Sequence, residues 1–189
     1  GVIRINRRTG ERMDYITTPV YSEITGVQTT RKYVFYSSMD DGVFKVDRES
    51  GVITPIERIN NVCRDKNLNI YGILADRDYL YALGNEVDSH YRCMLDREKK
   101  TALFIYGLEN GMVRRFDTGA AFADSMINEG DRIVGYGKIK FGTDDGYDYE
   151  INGGFVFNKK NMQCKVIDLK RAVYKGLIKR DKKEIDMQA

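Results

Sequence analysis

Residues 143–150 read Thr-Asp-Asp-Gly-Tyr-Asp-Tyr-Glu, which puts Asp144, Asp145, Asp148 and Glu150 into one short stretch interleaved with Tyr147 and Tyr149. Carboxylates at that density offer hard oxygens of the kind calcium takes. They would also serve as a general acid and base if two of them converged. The alternate-position spacing of an EF-hand loop is missing, however, and acidic residues beside glycine are ordinary turn chemistry, so no metal is assigned. Met39-Asp40-Asp41-Gly42 is a second turn of the same character. Tyrosines beside charged groups have the composition of recognition surfaces. The expectation is therefore that Asp144, Asp145, Tyr147, Asp148, Tyr149 and Glu150 bind a partner and that no residue is catalytic.

Other chemistries find little support. His90 is the single histidine, and it sits in a polar turn, whereas nucleophilic triads and most zinc sites need histidine close to Ser, Cys or carboxylates. No GxxxxGK loop occurs. The Gly135-x-Gly137 pair lacks the third glycine and following helix of a dinucleotide fingerprint, so no cofactor is expected. Cys63, Cys93 and Cys164 are widely spaced and odd in number, which reads as free thiols rather than a disulfide framework. With no Asn-x-Ser/Thr acceptor and no charged-then-apolar leader, the expectation is a reducing, cytoplasmic compartment.

The elements that must carry these residues are strands. The chain has 189 residues, 42% hydrophobic and 31% charged, which is an ordinary globular composition and enough for one sizeable core. Two prolines, 18 glycines, 13 tyrosines and 8 phenylalanines favour strands joined by glycine turns. A balance of 31 basic against 28 acidic groups leaves only +3. Neither nucleic acid nor an anionic membrane is implied by so weak an excess. No apolar run approaches the roughly 20 residues of a membrane span, so no insertion is expected.

The most specific feature is an internal repeat. Residues 42–56, GVFKVDRESGVITPI, read as a hairpin. Phe44 and Val46 face one way, Val43, Lys45 and Asp47 the other, and Asp47 to Gly51 turns the chain back. The same phrase opens the chain as GVIRINRRTGERMDYI. A second motif, a short strand through a glycine followed by an aromatic strand, starts at Ile24 and returns at Ile70, with its second half again at Asp131. Gly26 and Gly72 in this motif read either as points where repeated sheets crowd a central axis or as a bulge or bend in a strand. The resulting units span about 1–16, 20–59, 65–108 and 120–169. In the 65–108 unit, Tyr91 to Glu98 carries the repeated Asp-Arg-Glu turn and Leu103 to Ile105 returns as the last strand. Alternatively, Leu103 to Phe116 is a hairpin of its own around Glu109-Asn110-Gly111. The tail, 170–189, is basic and polar.

Four antiparallel strands in each unit, repeated along nearly the whole chain, resemble the β-propeller. The Trp-Asp pair and the kelch pattern are both missing, which places the chain in neither of those families. The resemblance implies an all-β fold of four-stranded sheets stacked around an axis, because one such sheet cannot bury both apolar faces alone. Counting units, with an outer hairpin at the start and a faint inner-strand copy at Val173 to Ile178, gives a small closed ring or a segment of a longer propeller. A β-sandwich is the alternative fold. The functional expectation is a non-catalytic binding or interaction domain for a protein or other ligand within a larger assembly. The alternative is a carboxylate-dependent enzyme, such as a glycan-active hydrolase or lyase, with its site at the axial mouth.

Overall fold

A computed structural model describes residues 1–16, 18, 22–87, 101–120, 122–142 and 148–167. The fold is all-β. Strands β1 (Val2–Ile5) and β2 (Arg12–Ile16) form a hairpin. Sheet 1 contains β3 (Ile24–Thr29), β4 (Tyr33–Ser38), β5 (Gly42–Asp47) and β6 (Ile53–Pro55), and helix α1 (Glu57–Lys66) follows it. Sheet 2 contains β7 (Leu68–Ala75), β8 (Tyr79–Glu86), β9 (Thr101–Gly107) and β10 (Val113–Asp117). Sheet 3 contains β11 (Ser125–Asn128), β12 (Arg132–Gly142), β13 (Asp148–Asn158) and β14 (Gln163–Val166). Every pairing is antiparallel and the strands of each sheet lie in sequence order, so each sheet is a meander.

Local chemistry dictates the turns between third and fourth strands. In the hairpin, Asn6 Oδ1 accepts from the Arg8 and Thr9 amides while Gly10 takes φ +74°. In sheet 1, Asp47 Oδ1 accepts from the Glu49 and Ser50 amides and Gly51 takes φ +72°. In sheet 3, Asn158 Oδ1 accepts from the Lys160 and Asn161 amides, and Met162 occupies the left-handed position at φ +56°. An Asx side chain that bonds its own backbone two residues on, followed by a left-handed residue, closes the turn. Sheet 2 solves the same turn differently. Gly107 stands where the Asx stands elsewhere, and the amide oxygen of Asn110 would lie 2.3 Å from a Cβ at Gly107. Gly111 takes φ +66°.

Alternation along the strands decides how the sheets stack. In β8, Leu80 and Ala82 join Phe35, Val43 and Ile70 in one core, while Tyr81 and Leu83 join Ile133, Phe155 and Phe157 in another. In β9, Ala102, Phe104 and Tyr106 face sheet 1, and Leu103 and Ile105 face sheet 3. Sheet 2 is thus apolar on both faces and buried on both. Fully burying side chains of this size stabilises by about 1.5–3 kcal/mol each. A third cluster, Tyr36, Phe44 and Val46, takes Val2 of the hairpin against the other face of sheet 1. The layers therefore run hairpin, sheet 1, sheet 2, sheet 3.

First strands are neighbours across the layers, β3 against β7 and β7 against β11. Gly26 and Gly72 lie along this seam, and the reading of them as bulges holds. The ladder slips between Ile24 and Gly26 and again between Ile70 and Gly72. A Cβ on Gly26 would also sit 3.0 Å from Ile73 Cγ1, and one on Gly72 3.1 Å from the Asp124 carbonyl. The bulge turns the strand and the missing side chain admits the next sheet.

Two sequence expectations need correction. Leu103 to Ile105 belongs to the third strand of sheet 2, not the last, because Leu103 pairs with Leu83 of β8. The hairpin around Asn110-Gly111 supplies the last strand, so sheet 2 ends at Asp117 rather than near residue 108. Tyr91 to Glu98 lies outside the described residues, as do His90, Cys93 and the tail. The second correction is helix α1, which no strand repeat anticipated. Ile56, Ile59, Asn60 and Cys63 follow helical spacing and are buried, and Asn67 ends the helix at φ +49°. The polar Asn60 inside that stripe disguises its periodicity.

Candidate functional site

Of the six residues expected to bind, Asp144, Asp145 and Tyr147 lie outside the described residues. Asp148, Tyr149 and Glu150 open β13, and their place is set by strand register. β12 and β13 have 11 residues each, the longest strands among the described residues. β11 pairs with β12 only as far as Tyr136, and β14 pairs with β13 only as far as Phe155. Beyond these points, the pairs from Gly137↔Gly153 to Gly142↔Asp148 continue as a two-stranded ribbon. At about 3.4 Å per residue the ribbon reaches roughly 17 Å past the four-stranded part of the sheet.

Register also decides what the ribbon carries. Ile139 pairs with Ile151, Phe141 with Tyr149, Lys138 with Asn152 and Lys140 with Glu150 across the two strands. The ribbon leaves the sheet where Gly137 and Gly153 pass the chain at Phe122. A Cβ on Gly153 would lie 1.9 Å from the Phe122 carbonyl, and one on Gly137 2.7 Å from the Ala123 Cα. Two glycines are required there because backbone crosses backbone.

Elsewhere the polar groups act as fasteners. Asp76 Oδ2 accepts from Lys159 Nζ at 2.8 Å and from the Tyr81 hydroxyl at 2.9 Å, and Lys159 also reaches Asn128 Oδ1 at 2.9 Å. This group spans sheets 2 and 3. Burial pushes the Asp76 carboxyl up. The hydrogen bonds from Lys159, from the Tyr79 and Asp78 amides and from Tyr81 outweigh burial, and the net shift is downward. Burial, and then the Asp76 carboxylate, raise the Tyr81 hydroxyl well above its ordinary value. In sheet 1, Asp41 Oδ2 lies 3.0 Å from the Ser22 hydroxyl and 2.9 Å from the Ser38 hydroxyl, and the two serine oxygens are also in contact, so the two hydroxyl protons serve two of these three contacts at a time. Each group sets a carboxylate beside hydroxyls, and neither contains the histidine of a Ser-His-Asp triad. Among the described residues, no three His, Cys, Asp or Glu side chains are placed to hold a metal ion.

The tyrosines divide by depth. Tyr36 and Tyr81 are fully buried between sheets, and burial with the nearby Asp41 charge pushes the Tyr36 hydroxyl up to about 12. Tyr71 packs edge-on to Phe122 at 5.4 Å. Tyr33 lies under Lys45 Nζ at 4.8 Å. Among the described residues, no helix is long and apolar enough to cross a membrane. Cys63 and Cys164 are free thiols. No protein-family model matches the chain, and no significant match is found among curated proteins.

Proposed function

We propose that the chain is a non-catalytic binding domain of β-propeller type that recognises a protein or other ligand within a larger assembly. The β12–β13 ribbon is its recognition element. The observation that carries this reading is the ribbon itself, a strand pair extending past its sheet with Asp148, Tyr149 and Glu150 on it. A two-stranded pair has little stability of its own, and an element of this kind gains order from a partner strand laid along its edge. The propeller arrangement is supported by three face-to-face meanders whose first strands are adjacent.

The enzyme alternative gains no such support. In the ladder, Asp148 pairs with Gly142 and Glu150 with Lys140, neither of them an acidic residue. The test of the binding reading is affinity capture followed by cross-linking mass spectrometry, comparing the native chain with Phe141→Ala/Tyr149→Ala and with Glu150→Lys. The expected result is a partner cross-linked within residues 138–152 that both variants lose. Partners retained unchanged by both variants would end the assignment to the ribbon.

A further inference from the structure

Strand β4 carries a polar group that the packing leaves unsatisfied. Tyr36 is 0% exposed, its ring is stacked on Phe44 at 5.0 Å, and its hydroxyl has no hydrogen-bond partner among the described residues. Buried polar groups in folded proteins are almost always paired, with protein, water or an ion. Tyr36 and Ser38 are alternate residues of β4 and so share one side of the sheet, the side on which Val2 of the hairpin packs. The Asp41 carboxylate is near enough for its charge to act on the Tyr36 hydroxyl.

Beside it lies a set of oxygens with too few protons. Ser38 is 0% exposed, and Ser22 and Asp41 are half-buried. Backbone contacts hold the group in place. Ser22 Oγ accepts from the Asp40 amide at 3.1 Å, the Ser22 amide donates to Asp41 Oδ2 at 3.4 Å, and the Met39 amide donates to the Glu23 carbonyl at 2.9 Å. Ser22 Oγ, Ser38 Oγ and Asp41 Oδ2 are all in mutual contact, and each hydroxyl brings one proton and two lone pairs. If both serines donate to the carboxylate, their own oxygens meet lone pair to lone pair. If one serine donates to the other, a serine oxygen meets the carboxylate in the same way. Every arrangement leaves one oxygen–oxygen contact without a proton, in a group that carries one formal negative charge.

We propose that Asp41, Ser22, Ser38 and Tyr36 form a binding site for a monovalent inorganic cation, sodium or potassium. A hydroxyl can donate its proton to the carboxylate and still turn a lone pair to a cation. The contact that lacks a proton then becomes an edge of the ion's coordination shell, and the Tyr36 oxygen gains a partner. The donor set selects the class of ion. All four donors are hard oxygens, which suit neither zinc nor copper, and calcium takes six to eight oxygens with several carboxylates among them. A single carboxylate with three neutral hydroxyls balances one positive charge. Ser22 precedes β3, Tyr36 and Ser38 lie on β4, and Asp41 closes the turn into β5, so a bound ion ties the chain entering sheet 1 to its second and third strands. The proposal stands on these contacts and does not depend on what the ribbon binds.

The test is thermal unfolding of the full chain in sodium, potassium and choline chloride at one ionic strength, so that screening is common to all three. Sodium or potassium is expected to raise the melting temperature by about 4–8 °C over choline, the shift produced by a ligand of the folded state at roughly thirty times its dissociation constant. Asp41→Asn is expected to abolish the difference between the salts. Tyr36→Phe separates a ligand from a hydroxyl that is merely stranded. In choline it should melt at or above the native temperature, because an unpaired buried hydroxyl has been removed. In the alkali salts its gain should fall roughly two-fold or more, because one donor to the ion is lost. Broadening of the sodium NMR line by the native chain, absent with Asp41→Asn, reads binding without reference to stability. Equal melting temperatures in the three salts would overturn the proposal. So would an alkali-cation gain that both variants keep in full, which is the mark of an adventitious ion only.

Discussion

Asn60 of α1 holds both backbone groups of Val43 in β5, accepting from the Val43 amide at 2.8 Å and donating to its carbonyl at 3.1 Å. Ladder pairing of β6 ends at Phe44↔Pro55; beyond it the Ile56 amide still donates to the Val43 carbonyl, and the Asn60 side chain supplies the acceptor for the Val43 amide. The approach is close enough that a Cβ on Gly42 would meet the Asn60 side-chain oxygen at 2.3 Å. Asn85 repeats the device between sheets 2 and 3, donating to the Ala123 carbonyl at 2.7 Å and accepting from its amide at 3.3 Å. Each asparagine ends a sheet edge without leaving a buried donor open.

Replacing Asn60 with alanine leaves the Val43 amide buried without its acceptor, while the Val43 carbonyl keeps its bond from the Ile56 amide. The expected cost is about 1–3 kcal/mol, the desolvation penalty of one stranded donor. Urea denaturation of Asn60→Ala against the native chain measures it. A midpoint equal to that of the native protein would show that the edge is satisfied some other way.

Two glycine substitutions separate backbone strain from steric crowding. Gly51 takes φ +72°, and no atom lies within 4 Å of the place its methyl group would take. Gly51→Ala therefore carries only the left-handed penalty, about 1–2 kcal/mol. At Gly153 the new methyl meets the Phe122 backbone, which cannot move aside as a side chain can. Gly153→Ala is expected to cost more than about 4 kcal/mol or to abolish folding. Thermal melts of the two variants should therefore differ widely, and equal shifts would contradict the crossing of backbones at Phe122.

Stability should depend on Asp76 in a defined direction of pH. Its carboxyl pKa is lowered in the folded protein, so its contribution is fully present above the ordinary carboxylate value of 3.8 and is lost as pH falls through the lower folded value. Asp76→Asn removes the partner of Lys159, and with both groups about one-fifth exposed the cost at neutral pH is about 1–2 kcal/mol after solvent screening. The gap between native and variant denaturation midpoints should narrow on acidification below about pH 4. A gap that widened there would show that Asp76 is not held as a carboxylate.

Cys63 should be inert. Burial raises its thiol to about 12, with Arg115 pulling weakly the other way, and only the thiolate reacts. Peptide mapping after iodoacetamide treatment at about pH 8, near the pKa of a free thiol, should find Cys63 unlabelled in the folded chain and labelled in urea. Rapid labelling without denaturant would mean that α1 detaches from sheet 1.

What the sequence determined on its own is the local part. Period-two alternation in residues 42–47 is enough to separate Phe44 and Val46 from Val43, because a strand sends successive side chains to opposite faces. The Asx-to-glycine turns were visible for the same reason, since their hydrogen bonds run between residues two or three apart. What only the tertiary structure decided depends on contacts distant in sequence. The choice of β9 as the third strand of sheet 2 rests on Leu103 pairing with Leu83, which no local pattern distinguishes from a returning outer strand. Helix α1 owes its identity to Asn60 reaching Val43, a polar side chain buried only because a strand edge needs it. The ribbon was legible as an acidic turn but not as an extension beyond the sheet, because its length is set by where β11 and β14 stop pairing.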